Sequence, residues 1–361
     1  MDAAAFRAEF PVLERAAFLN AGSDGPVPRR GAQAAMRQVE RELVDGRAGR
    51  PHFERLFELA RELRAGLAGL LGCSVDDLAL TRSTSDGIAT VMAALRLEPG
   101  DEVLTSDEEH PGLLAPLEAA RRRRGFDLRA VPFAELGREI GPQTRLVACS
   151  HVSWVGGRVV DAEALAASDA FVLLDGAQGL GAVPARADVL GCDFYAASGQ
   201  KWLCGPDGSG CLYVRREIAD ELDPPWPSYV SLADPSRPSE LHAHPGARRF
   251  DLGFSGPLLA WALASVRLIE EAGPDWVHER GTGLAAKLAD ALIERGLQVS
   301  PRGRSTLVSW AAQDPEGDVA RMAQRGVLVR YLPGRGLVRA SVGAWSSERD
   351  LERLLDAIGE R

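Results

Sequence analysis

The chain has 361 residues, 45% of them hydrophobic, and a formal net charge of −9. The length allows about two or three domains with full cores, and the acidic balance argues against a nucleic-acid partner. There is no signal-peptide pattern at residues 1 to 11 and no apolar stretch near the length of a membrane span, so we expect a soluble cytoplasmic protein without a membrane partner.

The five cysteines lack the paired spacing of metal ligands and are odd in number. They are Cys73, Cys149, Cys192, Cys204 and Cys211. This usage fits free or buried thiols in a reducing compartment, and we predict no metal site.

The first elements are helical. Residues 2 to 16 have the pattern of a short amphipathic helix, and residues 18 to 28 form a polar segment with the only asparagine of the chain, Asn20. A long helical region is predicted from residue 29 to about 71, interrupted at 46 to 51. The Gly, Ser, Asp and Pro content after Asn20 would explain a turn there without any function.

A strand, a polar turn and a helix follow from Leu78. Residues 81 to 86 precede an apolar helix face, and a helix N-terminus with free N–H groups is a seat for phosphate. Hydroxyl groups on Thr84 and Ser85 would add donors. Ordinary helix capping would also explain these residue types, but we favour phosphate binding.

The same pattern of strand, turn and helix recurs twice more. His110 follows the acidic turn at residues 107 to 109, and Trp154 lies in the turn at residues 151 to 157. Both turns fall at the predicted edge of a sheet, where ligands bind in open α/β folds.

The central stretch brings an acid and a base to this edge. The apolar run from Phe171 to Asp175 predicts a buried parallel strand that carries Asp175 to its carboxyl end. A second apolar segment, residues 192 to 197, leads to Ser198, Gly199, Gln200 and Lys201 in a glycine-rich turn.

Lys201 is also unusual by composition. The 42 basic residues include only two lysines, and the other, Lys287, falls on a predicted helix surface. A lysine amine can lose its proton and form a Schiff base, which a guanidinium cannot do. We therefore expect Lys201 to be a catalytic amine.

These residues carry a family resemblance. Asp175, Gln178 and the run Ser198-Gly199-Gln200-Lys201-Trp202 resemble the class V aminotransferase group of fold-type I pyridoxal phosphate (PLP) enzymes. The group includes cysteine desulfurases, isopenicillin N epimerases and hercynylcysteine sulfoxide lyases, and the resemblance covers nearly the whole chain. It implies an α/β fold in which a three-layer αβα large domain with a mainly parallel sheet is joined to a smaller C-terminal α+β domain.

The resemblance implies a role for each of four residues at the cofactor. Lys201 would hold PLP as a Schiff base, Asp175 would pair with the pyridine nitrogen, Gln178 would contact the phenolic oxygen and Ser198 the phosphate. A carboxylate at the ring nitrogen keeps it protonated, so that the ring can accept electrons from the substrate.

Further positions match by resemblance. Thr84 and Ser85 match the phosphate loop, and His110 matches a histidine that stacks on the PLP ring. Asn20 lies in a segment near the cofactor and substrate entrance. Gln200 stands where relatives often have histidine, and its amide can still donate to phosphate.

Other positions of the resemblance concern the substrate and the partner subunit. Arg339 matches the arginine that clamps a substrate carboxylate bidentately. Trp154 replaces a common asparagine, and we expect it to wall the pocket and restrict substrates. Phe254 replaces an interface threonine, so we expect Ser255, near the matching Arg249, to reach the partner's phosphate in a homodimer.

The predicted domains are a large PLP-binding domain, residues 17–256, and a small C-terminal domain, residues 257–361. The N-terminal helix, residues 1–16, is expected to pack near the small domain. Residues 222 to 247 are rich in Pro and Ser and predict a loop.

The predicted reaction acts on an amino acid, with Lys201 as the base that removes the α-proton. We predict β-elimination with C–S bond cleavage; transamination with a 2-oxo acid and epimerisation are the alternatives. Cysteine desulfurases need a nucleophilic cysteine near the first strand of the terminal domain. The matching residues, 327 to 338, contain none, so this activity is the least favoured.

Other protein classes fit less well. A regulator with this fold would need a DNA-binding domain, and an inactive relative would usually lack the lysine. No G-x-G-x-x-G motif lies between a strand and a helix, which argues against an NAD-binding domain.

Overall fold

A computed structural model of the chain describes residues 1–359. The strands are β1 (Ala17–Phe18), β2 (Leu78–Thr81), β3 (Glu102–Ser106), β4 (Asp127–Val131), β5 (Thr144–Ser150), β6 (Phe171–Asp175), β7 (Phe194–Ser198), β8 (Gly210–Val214), β9 (Leu307–Ala311), β10 (Val327–Leu328), β11 (Arg330–Leu332) and β12 (Leu337–Ser341).

The helices are α1 (Ala3–Ala8), α2 (Arg29–Asp45), α3 (Gly49–Leu71), α4 (Thr84–Ala94), α5 (Pro111–Arg124), α6 (Ala162–Ala166), α7 (Ala187–Leu190), α8 (Arg216–Ala219), α9 (Gly256–Ala272), α10 (Pro274–Glu294), α11 (Pro315–Gln324) and α12 (Glu348–Ile358). Short 3-10 turns lie at Pro11–Glu14, Val75–Asp77, Phe133–Arg138, Pro238–Glu240 and Gly246–Phe250.

The central sheet has seven strands in the order β2-β8-β7-β6-β5-β3-β4. Only β8 runs antiparallel to its neighbours, while β3 to β7 pair in parallel. Strands β6 and β7 are apolar on both faces because helices cover both sides. The mainly parallel sheet of the predicted fold is thereby confirmed.

Two apolar cores sandwich this sheet. On one face, α4 and α5 contribute Ile88 and Leu117 to a cluster with Leu173. On the other, α3 and α9 contribute Leu67 and Val266 to a larger cluster. The result is the predicted helix–sheet–helix sandwich, and it places the carboxyl ends of the parallel strands at one edge.

A three-stranded antiparallel sheet, in the order β11-β12-β9, lies in the C-terminal third. Its core includes Leu288 of α10, Trp310 of β9 and Leu354 of α12. Strands β11 and β12 form a hairpin, and α12 follows it. The turn at 333–336 holds glycines with positive φ, which permit a tight reversal.

The N-terminal helix is shorter than predicted. Helix α1 ends at Ala8, and Pro11 then begins a 3-10 turn, because proline cannot donate the hydrogen bond that a longer helix would need. Arg7 donates to Asp350 of α12 at 2.6 Å, so α1 contacts the C-terminal region.

The contacts of β1 and α9 cross the predicted domain boundaries. The boundaries themselves remain predictions. Strand β1 pairs in parallel with β10 of the C-terminal third. Helix α9 packs against α2 and α3 rather than against the three-stranded sheet. Among residues 1–359, no helix is both long and apolar enough to span a bilayer. The same residues contain no group of three or more His, Cys, Asp or Glu side chains that could hold a metal ion.

Candidate active site

Two strands of the central sheet, and the turn after the second, bring the predicted acid, base and phosphate-binding hydroxyl to one edge. Asp175 ends β6 and Ser198 ends β7, and the two strands pair in parallel, with Asp175 opposite Ala196. Lys201 follows Ser198 in the next turn. Parallel pairing therefore gathers residues that lie 26 positions apart in the chain.

The Asp175 carboxylate and the Lys201 amine shift each other's pKa. Asp175 is 4% exposed and accepts a hydrogen bond from Ala177 N–H at 2.9 Å. Burial raises the pKa of Asp175, and Lys201 opposes that shift. Burial lowers the pKa of Lys201, which Asp175 opposes, so this amine loses its proton more readily than an exposed lysine.

The N-terminus of α4, where phosphate binding is predicted, lies against Ser198. Thr84 N–H donates to Ser198 Oγ at 3.0 Å, and the two hydroxyl oxygens lie 2.7 Å apart. The N-cap is Ser83, whose hydroxyl accepts from Asp86 N–H. Ser85 lies beside the start of α5, because a Cβ added to Gly112 would come within 2.7 Å of its Oγ. The sequence alone does not distinguish Ser83, the capping residue, from Thr84 and Ser85.

Gln200 and Gln178 border the same space. The Gln200 side-chain oxygen is buried without a hydrogen-bond partner in the described chain. Gln178 donates to the Gly22 carbonyl at 2.8 Å and accepts from the Trp202 indole at 2.9 Å. One amide N–H of Gln178 is left to bind a ligand oxygen.

His110 and Trp154 form an aromatic wall. Their rings meet edge to face, with centroids 5.0 Å apart and an interplanar angle of 89°. His110 caps α5 by accepting from Gly112 N–H at Nδ1, so its neutral form carries the proton on Nε2. Burial lowers the pKa of His110 to about 4, with Lys201 adding to the effect, so the ring is neutral at physiological pH.

Arg339 of β12 carries a buried positive charge that an anionic ligand would balance. It is 1% exposed, and Nη1 donates to the carbonyl oxygen of Trp154 at 2.8 Å, while Nε has no partner. No carboxylate pairs with it among residues 1–359. Burial lowers its pKa to about 9, and Arg330 contributes. A buried guanidinium without a counter-ion is costly, and a substrate carboxylate would offset that cost.

Sequence reasoning missed Arg330. It lies on β11 and donates to Ser23 Oγ at 2.8 Å. Its charge acts on Lys201, His110 and Arg339. With 40 arginines in the chain, composition could not single it out, and it lies nine residues before Arg339 on a different strand.

The sequence predicts that Asn20 lies near the cofactor and substrate entrance. It does not predict how closely the residues after Asn20 pack against the rest of the site. Asn20 Oδ1 accepts from Ser23 Oγ at 3.0 Å. A Cβ at Gly22 would lie 2.6 Å from Arg339 Nη2, so a larger residue there would displace the Arg339 guanidinium. In the sequence, the glycines of this segment are the feature that indicates such close packing.

Ser255 and its neighbours do not join the site within one chain. Ser255 is exposed and occupies the N-cap position of α9, but its hydroxyl makes no capping hydrogen bond. Phe254 packs edge to face with Phe57, at 6.5 Å between centroids. Arg249 binds Asp220, with Nη2 2.7 Å from Oδ1. The interface role of Ser255 stays a prediction.

The donors around Lys201 suit PLP. A lysine able to form a Schiff base, a buried carboxylate able to pair with a ring nitrogen and a helix N-terminus able to bind a phosphate lie at one edge, with the His110 ring beside them. The orphaned Gln200 oxygen and Arg339 Nε mark polar positions that a bound ligand would satisfy. Fold and site together define a fold-type I PLP-dependent enzyme.

The chain belongs to the class V aminotransferase family. Residues 27–354 match the family described as "Aminotransferase class-V". PLP is its cofactor, as the PLP-linked structures that resemble it also indicate.

Named relatives cover nearly the whole chain. It is 28% identical to an isopenicillin N epimerase of Streptomyces clavuligerus, over 94% of this chain and 93% of the relative. It is 31% identical to a probable cysteine desulfurase of Aeropyrum pernix, over 98% and 96%. A solved complex of the cystine C-S lyase C-DES with cysteine persulfide superposes with a TM-score of 0.91 and 25% identity, over 97% and 99%.

Proposed function

We propose that this PLP-dependent enzyme catalyses β-elimination on a cysteine-derived amino acid and breaks the bond between Cβ and sulfur. When bound, PLP supplies an electron sink for the substrate's α-carbon. The positions of the surrounding residues support a role for each of them.

Arg339 would bind the substrate carboxylate, because its buried guanidinium has unused donors and no carboxylate partner in the described chain. Lys201 would take the α-proton, because burial lowers its pKa. Asp175 would hold the ring nitrogen protonated, and His110 with Trp154 would exclude water from one face of the site.

The other proposed contacts hold the cofactor. Thr84, Ser85 and Ser198 would bind the phosphate together with Gln200, and Gln178 would contact the phenolic oxygen. Asn20 would shape the substrate entrance by holding the segment that carries Ser23.

The burial of the cysteine thiols favours a lyase over a desulfurase. All five cysteines are buried or half-buried, and burial raises the pKa of Cys73 and Cys192 to about 12 and those of Cys149, Cys204 and Cys211 as well. Thiolates are the nucleophiles of sulfur transfer, and the raised pKa values of these thiols favour their protonated form. A site without a sulfur acceptor releases its sulfur product directly.

The test is a substrate panel. The enzyme is mixed with S-substituted cysteines and cysteine sulfoxides, and then with plain amino acids plus 2-oxoglutarate. We expect pyruvate and ammonia from the first set without added oxo acid. Turnover of only the second set, with accumulation of pyridoxamine phosphate, would support transamination instead.

Epimerisation is the second candidate, because isopenicillin N epimerases match nearly the whole chain. It would return a proton to the opposite face of the α-carbon without loss of a side-chain group. Chiral chromatography of substrates that lack a leaving group would reveal the inverted amino acid.

We infer that the working form is a homodimer with Ser255 at the partner's phosphate site. An exposed apolar stripe on α2 supports this: Met36, Val39 and Leu43 are 70%, 52% and 81% exposed. Phe57 of α3, which contacts Phe254, is exposed too. Such a patch is typical of an interface. Light scattering should give twice the chain mass for the wild type and a monomer for Leu43→Glu.

A further inference from the structure

The segment from Gly22 to Gly25 lies between the Schiff-base lysine and the two arginines. Gly25 N–H donates to the Gln200 carbonyl at 2.7 Å, and a Cβ on Gly25 would lie 2.1 Å from the Lys201 carbonyl oxygen. At the other end, Ser23 accepts from Arg330. Asp24 is therefore held between a residue fixed to Arg330 and a residue fixed to the turn of Lys201.

Two carboxylates act on the charge of Lys201, namely Asp175 and Asp24. Asp175 lies buried at the end of β6, where it serves the ring nitrogen in the proposed function. Asp24 is exposed and makes no side-chain hydrogen bond within the described part of the chain. Its exposure leaves this carboxyl group able to exchange a proton with water.

The charges around Asp24 suit an acid. Desolvation by the neighbouring protein and the nearby Asp207 raise its pKa, while Lys201 and Arg330 oppose the shift. A raised pKa increases the protonated fraction near neutral pH, which a proton donor needs.

We propose that Asp24 is the catalytic acid that protonates the departing sulfur. This inference rests on the proposed elimination. As the bond between Cβ and sulfur breaks, both of its electrons stay on sulfur, which takes the proton from the Asp24 carboxyl group. The electron pair left at the α-carbon forms the double bond to Cβ, and the α-proton remains on Lys201. Asp24 leaves this step as a carboxylate and regains a proton from water.

The experiment varies the leaving group in wild type and Asp24→Asn holoenzyme. S-ethylcysteine releases a basic thiolate that needs a proton, whereas S-(4-nitrophenyl)cysteine and 3-chloroalanine release stable anions. General acids contribute on the order of 10²-fold or more, so we expect kcat/KM for S-ethylcysteine to fall about 10²-fold in Asp24→Asn. For the other two substrates we expect a loss of less than about threefold.

A second readout separates this role from damage to the site. In deuterium oxide, the exchange of the α-proton of alanine reports on Lys201 alone, and it should proceed at the wild-type rate in Asp24→Asn. Asp24→Glu, which keeps an acid, should recover part of the lost rate. Asp223→Asn, the same change at a 90% exposed side chain beside Arg96, is the matched control.

An equal loss on all three substrates, or no loss on S-ethylcysteine, would overturn the role of Asp24 while the elimination itself stands. If the wild type releases no pyruvate from any of the three, the proposed function fails and this inference with it. Slower α-proton exchange in Asp24→Asn would reassign Asp24 to positioning Lys201.

Discussion

Arg339 donates a hydrogen bond from Nη1 to the backbone carbonyl oxygen of Trp154, at 2.8 Å. Arg339 belongs to the C-terminal antiparallel sheet, and Trp154 to the turn after β5 of the central sheet. The bond therefore ties the proposed carboxylate clamp to the aromatic wall, and through the Trp154 ring to His110. A change at Arg339 should affect both substrate affinity and the shape of the pocket.

Arg339→Lys should weaken substrate binding without loss of the cofactor. A lysine cannot make the bidentate contact and cannot bind the carboxylate and the Trp154 carbonyl in the same geometry. We expect KM to rise about 10- to 10²-fold, which corresponds to the roughly 1.5–3 kcal/mol of a hydrogen bond to a charged group. Steady-state kinetics measure it, with the exposed Arg349→Lys as control. An unchanged KM would place the substrate carboxylate elsewhere.

Lys201→Ala should abolish covalent attachment of PLP and all turnover. The chain offers a matched control, because its only other lysine, Lys287, is exposed and paired with Glu348. Borohydride treatment of wild type and of Lys287→Ala should attach the cofactor to a peptide containing Lys201, as mass spectrometry can detect. An adduct on Lys287, or none in the wild type, would contradict the assignment.

The sequence was sufficient to predict the parts of the site that depend on local patterns. The apolar run of β6 ending in Asp175 and the turn after β7 are defined by neighbouring residues, so period and turn chemistry indicate them directly. The rarity of lysine singled out Lys201. These predictions needed no contact between distant segments.

The remainder of the site depends on distant contacts. Arg330 donates to Ser23 from 307 positions along the chain, and Gly22 packs against Arg339 across a similar separation. No periodicity records such pairs, and the abundance of arginine hides them. Arg339 itself could be found only through a family resemblance.

The buried pair of Arg64 and Asp251 should be important for stability. Arg64 Nη2 lies 2.7 Å from Asp251 Oδ2, and Asp251 also accepts from Leu80 N–H of β2 at 2.9 Å. Asp251→Asn leaves the Arg64 charge buried without a counter-ion, so we expect a loss of about 3–5 kcal/mol in the free energy of unfolding. Urea unfolding monitored by circular dichroism measures it.

An exposed ion pair is the control for that loss. Glu62 and Arg267 also lie 2.7 Å apart, but their side chains are 25% and 53% exposed. Glu62→Gln should cost about 0–1 kcal/mol, because solvent screens such pairs. Similar losses in the two variants would mean that burial does not decide the contribution of the Arg64 pair.

The acid next to His110 predicts a pH dependence of stability. Glu109 is 2% exposed and accepts hydrogen bonds from Ser106 Oγ and from Ser150 N–H, at 2.5 and 2.9 Å. Burial raises its pKa to about 7 despite these bonds, and the charge of Asp175 contributes. The folded protein therefore holds a proton on Glu109 that the unfolded chain, whose glutamates titrate near pH 4.5, has released.

Because the folded state binds more protons between pH 4.5 and 7, the contribution of Glu109 to stability falls as pH rises through this window. Glu109→Gln mimics the protonated form and does not titrate. The variant should therefore gain stability relative to wild type from pH 5 to pH 8, by up to about 3 kcal/mol for a shift of this size. Urea unfolding at saturating PLP measures the difference, and Glu135→Gln on an exposed turn should give none. A difference between Glu109→Gln and wild type that does not change with pH would mean that Glu109 is already ionised in the folded protein.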